Sequence, residues 1–255
     1  MYMKRILIYL IALSLVHTVQ AKCYTSGLRV WPSSKTVKSN TVFVIDAWAN
    51  SQPIVSGLGS TYHAFLQAGS ARIPLVVKEK LVGQYAMTQA VLQPSRALEV
   101  GTQYELIIRG EGAKTGNVIE YANGMGITRV FYTVEPGLDE TPPTWKTLPQ
   151  EKSKQYIEMG CGPEVVVDFS ANILDQSACL IKATVKDLAS GKTSSYYLQP
   201  GTTGLVSVGH GMCVGAFMLE KGTRFSVTFT LLDASGNTKA WTGKAIEFTR
   251  PLVAG

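Results

Sequence analysis

Asp139-Glu140-Thr141-Pro142-Pro143-Thr144-Trp145 divides the chain. Two adjacent prolines fix φ twice and remove two backbone donors, so neither a helix nor a central strand runs through them. Strand-like runs lie on both sides, in segments of similar length. The stretch reads as a short, stiff link at residues 139–145, between β-rich halves at residues 22–138 and 146–255.

In the first half, short runs rich in β-branched and aromatic residues alternate with turn residues. They are Leu28 to Trp31, Thr41 to Trp48, Tyr62 to Leu66, Ile73 to Lys78, Tyr85 to Leu92, Tyr104 to Arg109 and Thr128 to Val134. Separators such as Pro32-Ser33-Ser34, Ser51-Gln52-Pro53 and Gly57-Leu58-Gly59-Ser60 bound them. About seven short strands at this spacing predict an antiparallel sandwich. No long window carries a helical period, which argues against a parallel α/β sheet, whose crossovers need helices. Gly110 to Gly126 reads as a long loop before the last strand. The second half continues in the same way, with Glu164 to Phe169, Leu180 to Leu188, Ser194 to Leu198, Leu205 to Val208, Val214 to Leu219, Arg224 to Leu232 and Ala245 to Thr249. The expected fold class is therefore all-β, two antiparallel sandwiches in tandem.

Ahead of them, Lys4 and Arg5 precede an apolar run from Ile6 to Val16, and Val19-Gln20-Ala21 ends it. This is the pattern of a cleaved export signal, residues 1–21, and is too short for a comfortable membrane span. Cys23 does not follow the small residue directly, because Lys22 intervenes, so a lipid anchor is not expected. The expected mature chain is soluble, has no transmembrane segment, and is periplasmic or secreted. The formal charge is +6. Its basic residues are scattered singly and do not interleave with aromatics, which gives nucleic-acid binding little support.

Two stretches carry a family resemblance. Leu98-Glu99-Val100-Gly101-Thr102-Gln103-Tyr104-Glu105-Leu106-Ile107-Ile108 resembles the corner and strand of bacterial Ig-like domains, including the S-layer type. There Gly101 turns the chain, and Tyr104 packs inward with its hydroxyl capping a loop carbonyl, as in the tyrosine corner of Greek-key sandwiches. Arg224 to Asn237, ending Asp233-Ala234-Ser235-Gly236-Asn237, is similar to the F–G hairpin of such repeats, and Asp139-x-Thr141-Pro142-Pro143 to the link that joins them. Asp233 is expected to accept turn amides, with Gly236-Asn237 tolerating positive φ. Calcium also takes carboxylate oxygens, but no Asp-rich loop completes a site around Asp233. Trp145, directly after the prolines, is expected to wedge between the halves.

Four cysteines allow three full pairings. Cys161–Cys213 is the first expectation, since both lie in glycine-rich segments flanking apolar runs; Cys179 is then a buried thiol or the partner of Cys23. Ser207-Val208-Gly209-His210-Gly211-Met212-Cys213 is the most unusual stretch. His210, Met212 and Cys213 offer the imidazole and soft sulfur that copper favours, whereas a Cys161–Cys213 disulfide would remove the thiolate. Neither His63 nor His210 lies near a nucleophile elbow, and no carboxylate pair stands in an acid/base setting. No cofactor is implied. The leading expectation is an exported, non-catalytic binding or scaffold module whose partner is a protein or glycan of the envelope. The alternatives are a periplasmic copper carrier and an envelope-processing enzyme.

Overall fold

A computed structural model describes residues 23, 26–111, 116–119, 129–219 and 222–252. The expected leader at residues 1–21 and most of the Gly110–Gly126 segment lie outside them. The fold is all-β. In the first half the strands are β1 (Ser26–Trp31), β2 (Thr36–Val37), β3 (Phe43–Ala49), β4 (Tyr62–Ala68), β5 (Ala71–Val82), β6 (Met87–Pro94), β7 (Gln103–Gly110) and β8 (Val130–Val134). They form one hydrogen-bonded path, β1-β3-β6-β5-β4-β7-β8-β2, antiparallel except for the parallel β2–β8 pair.

The path closes on itself as a sandwich because β5 belongs to both layers. Residues Ala71–Pro74 pair with β4, and Leu75–Val82 pair with β6. Pro74, which has no N–H to donate, sits at the hand-over. Period-two alternation then turns Phe43, Ile45 and Ala47 inward against Leu66, Leu92, Leu106 and Tyr132. The Phe43 and Tyr132 rings lie 5.0 Å apart. Ser51-Gln52-Pro53, expected as a plain turn, opens a short helix α1 (Gln52–Ser56) that buries Val55.

The second half contains β9 (Thr144–Trp145), β10 (Glu151–Ile157), β11 (Glu164–Ser170), β12 (Ile173–Leu174), β13 (Cys179–Asp187), β14 (Thr193–Leu198), β15 (Leu205–His210), β16 (Arg224–Asp233), β17 (Thr238–Lys239) and β18 (Ile246–Thr249). The sheet β10-β11-β15 packs on β14-β13-β16, with β17 and β18 on the far side of β16. Between them lie Val165, Val167, Phe169, Ile181, Val206, Val227, Phe229 and Phe248. Edge-on aromatic contacts tie this core: Phe169–Phe229 at 5.4 Å and Phe229–Trp241 at 5.9 Å. Val214 to Leu219, expected as a strand, makes only isolated bridges.

Trp145 corrects an expectation. It does not wedge between the halves; its ring packs in the second core, 6.4 Å from Phe229 and 6.3 Å from Trp241. What joins the halves is a third apolar cluster, formed by outward faces of strands. Trp31, Val42, Val44 and Val91 from the first half meet Leu180, Tyr197, Leu232 and Ala234 from the second. β3 is thus buried on both sides, which is why Val42-Phe43-Val44-Ile45 reads as a continuous apolar run.

Polar groups inside this contact are paired across it. The Gln89 amide donates to Tyr197 O at 3.0 Å and accepts from Tyr197 N at 3.0 Å, so it occupies the place of a neighbouring strand along the edge of β14. The same Nε2 donates to Asp46 Oδ1 at 2.8 Å, and the Tyr196 hydroxyl donates to that oxygen at 2.9 Å. Lys182 pairs with Glu79. The link itself is clamped from both sides, because the Asp139 carbonyl accepts from Asn40 Nδ2 at 2.7 Å and from Asn237 Nδ2 at 3.0 Å.

Candidate functional site

The unusual His210–Cys213 stretch forms a tight corner. β15 ends at His210, Gly211 N–H bonds Val214 O at 3.0 Å, and Gly215 returns to bridge His210. Two glycines make the close approach possible. A Cβ on Gly215 would stand 2.0 Å from His210 Cβ, and one on Gly209, whose φ is +149°, would stand 2.0 Å from Val165 O. His210 is 3% exposed, its Nδ1 lies 2.9 Å from Gly211 O, and its ring meets Tyr85 edge-on at 5.6 Å.

Cys213 is not bonded to Cys161. Its partner is Cys23, with Cα atoms 5.4 Å apart and a sequence separation of 190. The reason lies in a relay of strand contacts. Ser26 at the start of β1 pairs with Ala49, Ala49 N–H bonds Ala86 O, and Tyr85 bridges Gly215. Each step is local in space and remote in sequence, so no spacing rule finds it. Cys161 lies beside the disulfide, the three sulfurs being within 4.8 Å of one another. With Cys213 oxidised, the alternative copper set of His210, Met212 and a Cys213 thiolate is not assembled. The Met212 carbonyl instead accepts from the Tyr85 hydroxyl at 3.2 Å. Cys179 lies elsewhere, beside Asp233 across the β13–β16 pair.

The other site residues fall at turns. Tyr104 sits at the start of β7, is 3% exposed, and its hydroxyl accepts from Glu99 N–H at 3.3 Å rather than capping a carbonyl. Asp233 ends β16. Its Oδ1 accepts from Ser235 N at 2.9 Å and Asn237 N at 2.8 Å, and its Oδ2 from Asn237 Nδ2 at 2.8 Å. Gly236 takes the positive φ of this turn, at 88°.

Around Asp233 the fold gathers what no loop of the sequence supplied. Asp139 comes from the link and Asp175 from the turn between β12 and β13, and one carboxylate oxygen of each of the three lies within 4.8 Å of the others. Asp139 and Asp175 line a cavity of about 730 Å³ together with Thr41, Pro142, Leu174 and Ser235. Asp233 is wholly buried. Burial pushes its carboxyl above the usual range and Asp139 adds to this, against the hydrogen bonds from Asn237 and Ser235. The Cys179 thiol is pushed up to about 12 by burial and then by Asp175, Asp233 and Asp139. A second strained carboxylate, Asp46, lies between the halves. Burial raises it, and the bonds from Tyr196 and Gln89 and the charge of Arg29 oppose the rise.

No family model matches the chain, and no curated protein matches it. Among solved structures, the N-terminal part of a bacterial S-layer protein, SbsC, is similar at 12% identity and a TM-score of 0.25, over 89% of this chain and 44% of that one. The Escherichia coli adhesin FdeC is similar at 12% identity and a TM-score of 0.25, over 90% and 64%. A type I pullulanase of Bacillus subtilis gives 10% identity and a TM-score of 0.25, over 89% of this chain and 25% of its own. The chain spans about a quarter of that pullulanase's length. At these TM-scores none of the likenesses bears on what this chain does.

Proposed function

We propose that the chain is a non-catalytic binding or scaffold module of a cell envelope, exported by its leader and presenting a locked pair of Ig-like sandwiches to a protein or glycan partner. The observation that carries this reading is the contact between the halves. In two-domain enzymes the boundary is a common place for a cleft with convergent polar groups. Here, away from the cavity beside the link, the strand faces that meet are filled by Trp31, Val44, Val91, Tyr197 and Leu232, and the polar side chains Asp46, Gln89, Tyr196 and Glu79 bond one another or the opposite half. Such a boundary holds two sandwiches at a fixed angle and leaves outer edges and loops for a partner.

Strands at the ends of the sheets include β1, β10 and, in the second half, β17. β10 is a poor strand acceptor. It is bulged between Glu151 and Ser153 and carries Lys152 and Lys154. β1 and β17 are the better candidates. The test is photo-crosslinking in the native envelope, with a photoreactive residue replacing Arg29, Lys152 or Lys239, all exposed. A discrete adduct from position 29 or 239, and none from 152, is the expected outcome. Failure of all three to trap a protein or glycan, or hydrolytic turnover of an envelope polymer by the purified chain, would overturn the reading.

A further inference from the structure

We propose that Asp139, Asp175 and Asp233 form a binding site for a calcium ion, with the buried hydroxyls of Thr41 and Ser235 beside them. Three observations carry this. The first is spacing. One oxygen from each carboxylate lies within 4.8 Å of the other two. Two oxygens bound to one calcium at 2.3–2.6 Å stand at most about 4.6–5.2 Å apart, so the three fit around a single ion.

The second is charge. Five acidic residues elsewhere in the described chain meet basic ones: Glu79 with Lys182, Glu105 with Arg129, Glu135 with Lys38, Glu151 with Lys154 and Glu247 with Arg224. Among the described residues, none of Asp139, Asp175 and Asp233 has a lysine or arginine within ion-pair distance. Their hydrogen bonds from turn amides leave three neighbouring carboxylates uncompensated.

The third is independent of the carboxylates. Thr41 is 0% exposed and Ser235 7%, and among the described residues the hydroxyl oxygen of each has no hydrogen-bond partner. Buried hydroxyls are normally satisfied, so two orphans in one place indicate an absent partner. Both residues line the cavity that Asp139 and Asp175 line. Val42 N–H bonds Ala234 O at 2.9 Å, which places Thr41 next to Ser235, and Ser235 N–H bonds Asp233 Oδ1. A cation accepts lone pairs from both hydroxyls and all three carboxylates.

Donors that are all oxygen, drawn from carboxylate and hydroxyl groups, select a hard ion over zinc or copper. The ligands come from the link, the β12–β13 turn and the β16 hairpin, with Thr41 from the first half. The ion therefore pins the link to both sandwiches.

The test is calorimetric titration of CaCl₂ into the chelator-treated full chain, with thermal unfolding followed in parallel. One equivalent is expected to bind, with Kd on the order of 10⁻⁴–10⁻³ M as in extracellular modules, and Tm to rise with calcium. Asp175→Asn keeps its turn acceptor and is expected to weaken binding at least about tenfold without loss of β-sheet circular dichroism. Asp139→Asn gives a second variant should the first fold poorly. Glu247→Gln, on the outer face of β18, is expected to bind as the parent does. No heat and no Tm shift at about 10 mM calcium would overturn the site, as would undiminished binding by both aspartate variants. An equal response to Mg²⁺ would overturn the choice of ion.

Discussion

Gln89 shows how much one side chain carries here. It is 0% exposed and makes three hydrogen bonds, two to the Tyr197 backbone and one to Asp46. Gln89→Leu keeps the volume and strands Tyr197 N–H and C=O without partners. The expected loss is about 2–4 kcal/mol, read from the denaturant midpoint at unchanged m-value. Asp46 behaves differently because its charge is a burden. Its folded carboxyl sits above the ordinary 3.8. Between those two values the native state holds more protons than the unfolded one, so stability falls as pH rises through that window. Asp46→Asn retains an acceptor for Tyr196 and Gln89. Its unfolding free energy is expected to fall less than the parent's from about pH 4 to pH 7, and a difference curve of opposite slope would remove Asp46 as the cause.

At the level of elements, β3 and β5 are the ones whose sequence and role diverge from a simple sandwich. β3 turns Phe43, Ile45 and Ala47 into the first core, and Val44 on its second face is 0% exposed because the other half covers it. Val76 on β5 is 48% exposed. Val44→Asp buries an unpaired charge and is expected to cost more than about 3 kcal/mol or to prevent folding, whereas Val76→Thr stays within about 0.5 kcal/mol. Equal tolerance at the two positions, measured by urea unfolding, would mean that the halves separate in solution. The corner after β15 is similarly constrained: Gly215→Ala is expected to break the Tyr85–Gly215 bridge and lower Tm, since its Cβ meets His210.

The molecule as a whole should unfold as one unit. The apolar contact, the Gln89–Tyr197 pairing and the Cys23–Cys213 bridge all connect the two cores. A single calorimetric transition is expected, with calorimetric and van't Hoff enthalpies equal. Two resolved transitions would show that the contact does not couple them. The disulfide closes most of the chain, and a loop of that length is worth about 5 kcal/mol in the chain-entropy view. Cys23→Ser, made in a Cys161→Ser background so that no neighbouring sulfur substitutes, is expected to lose about 2–5 kcal/mol and to keep the fold.

Local pattern was enough for the strands. A run such as Arg224–Leu232 alternates with a period of two because a pleated strand presents successive side chains to opposite faces, and that rule acts within a few residues. The same short range covers the turn bonds of Tyr104 and Asp233, which reach no further than five residues along the chain. The pairing of Cys23 with Cys213, the seat of Trp145 in the second core, and the meeting of Asp139, Asp175 and Asp233 were not legible in this way. Each depends on which outer face of one sandwich covers the other. That choice is fixed by apolar area and hydrogen-bond fit over many strands at once, and no window of sequence contains it.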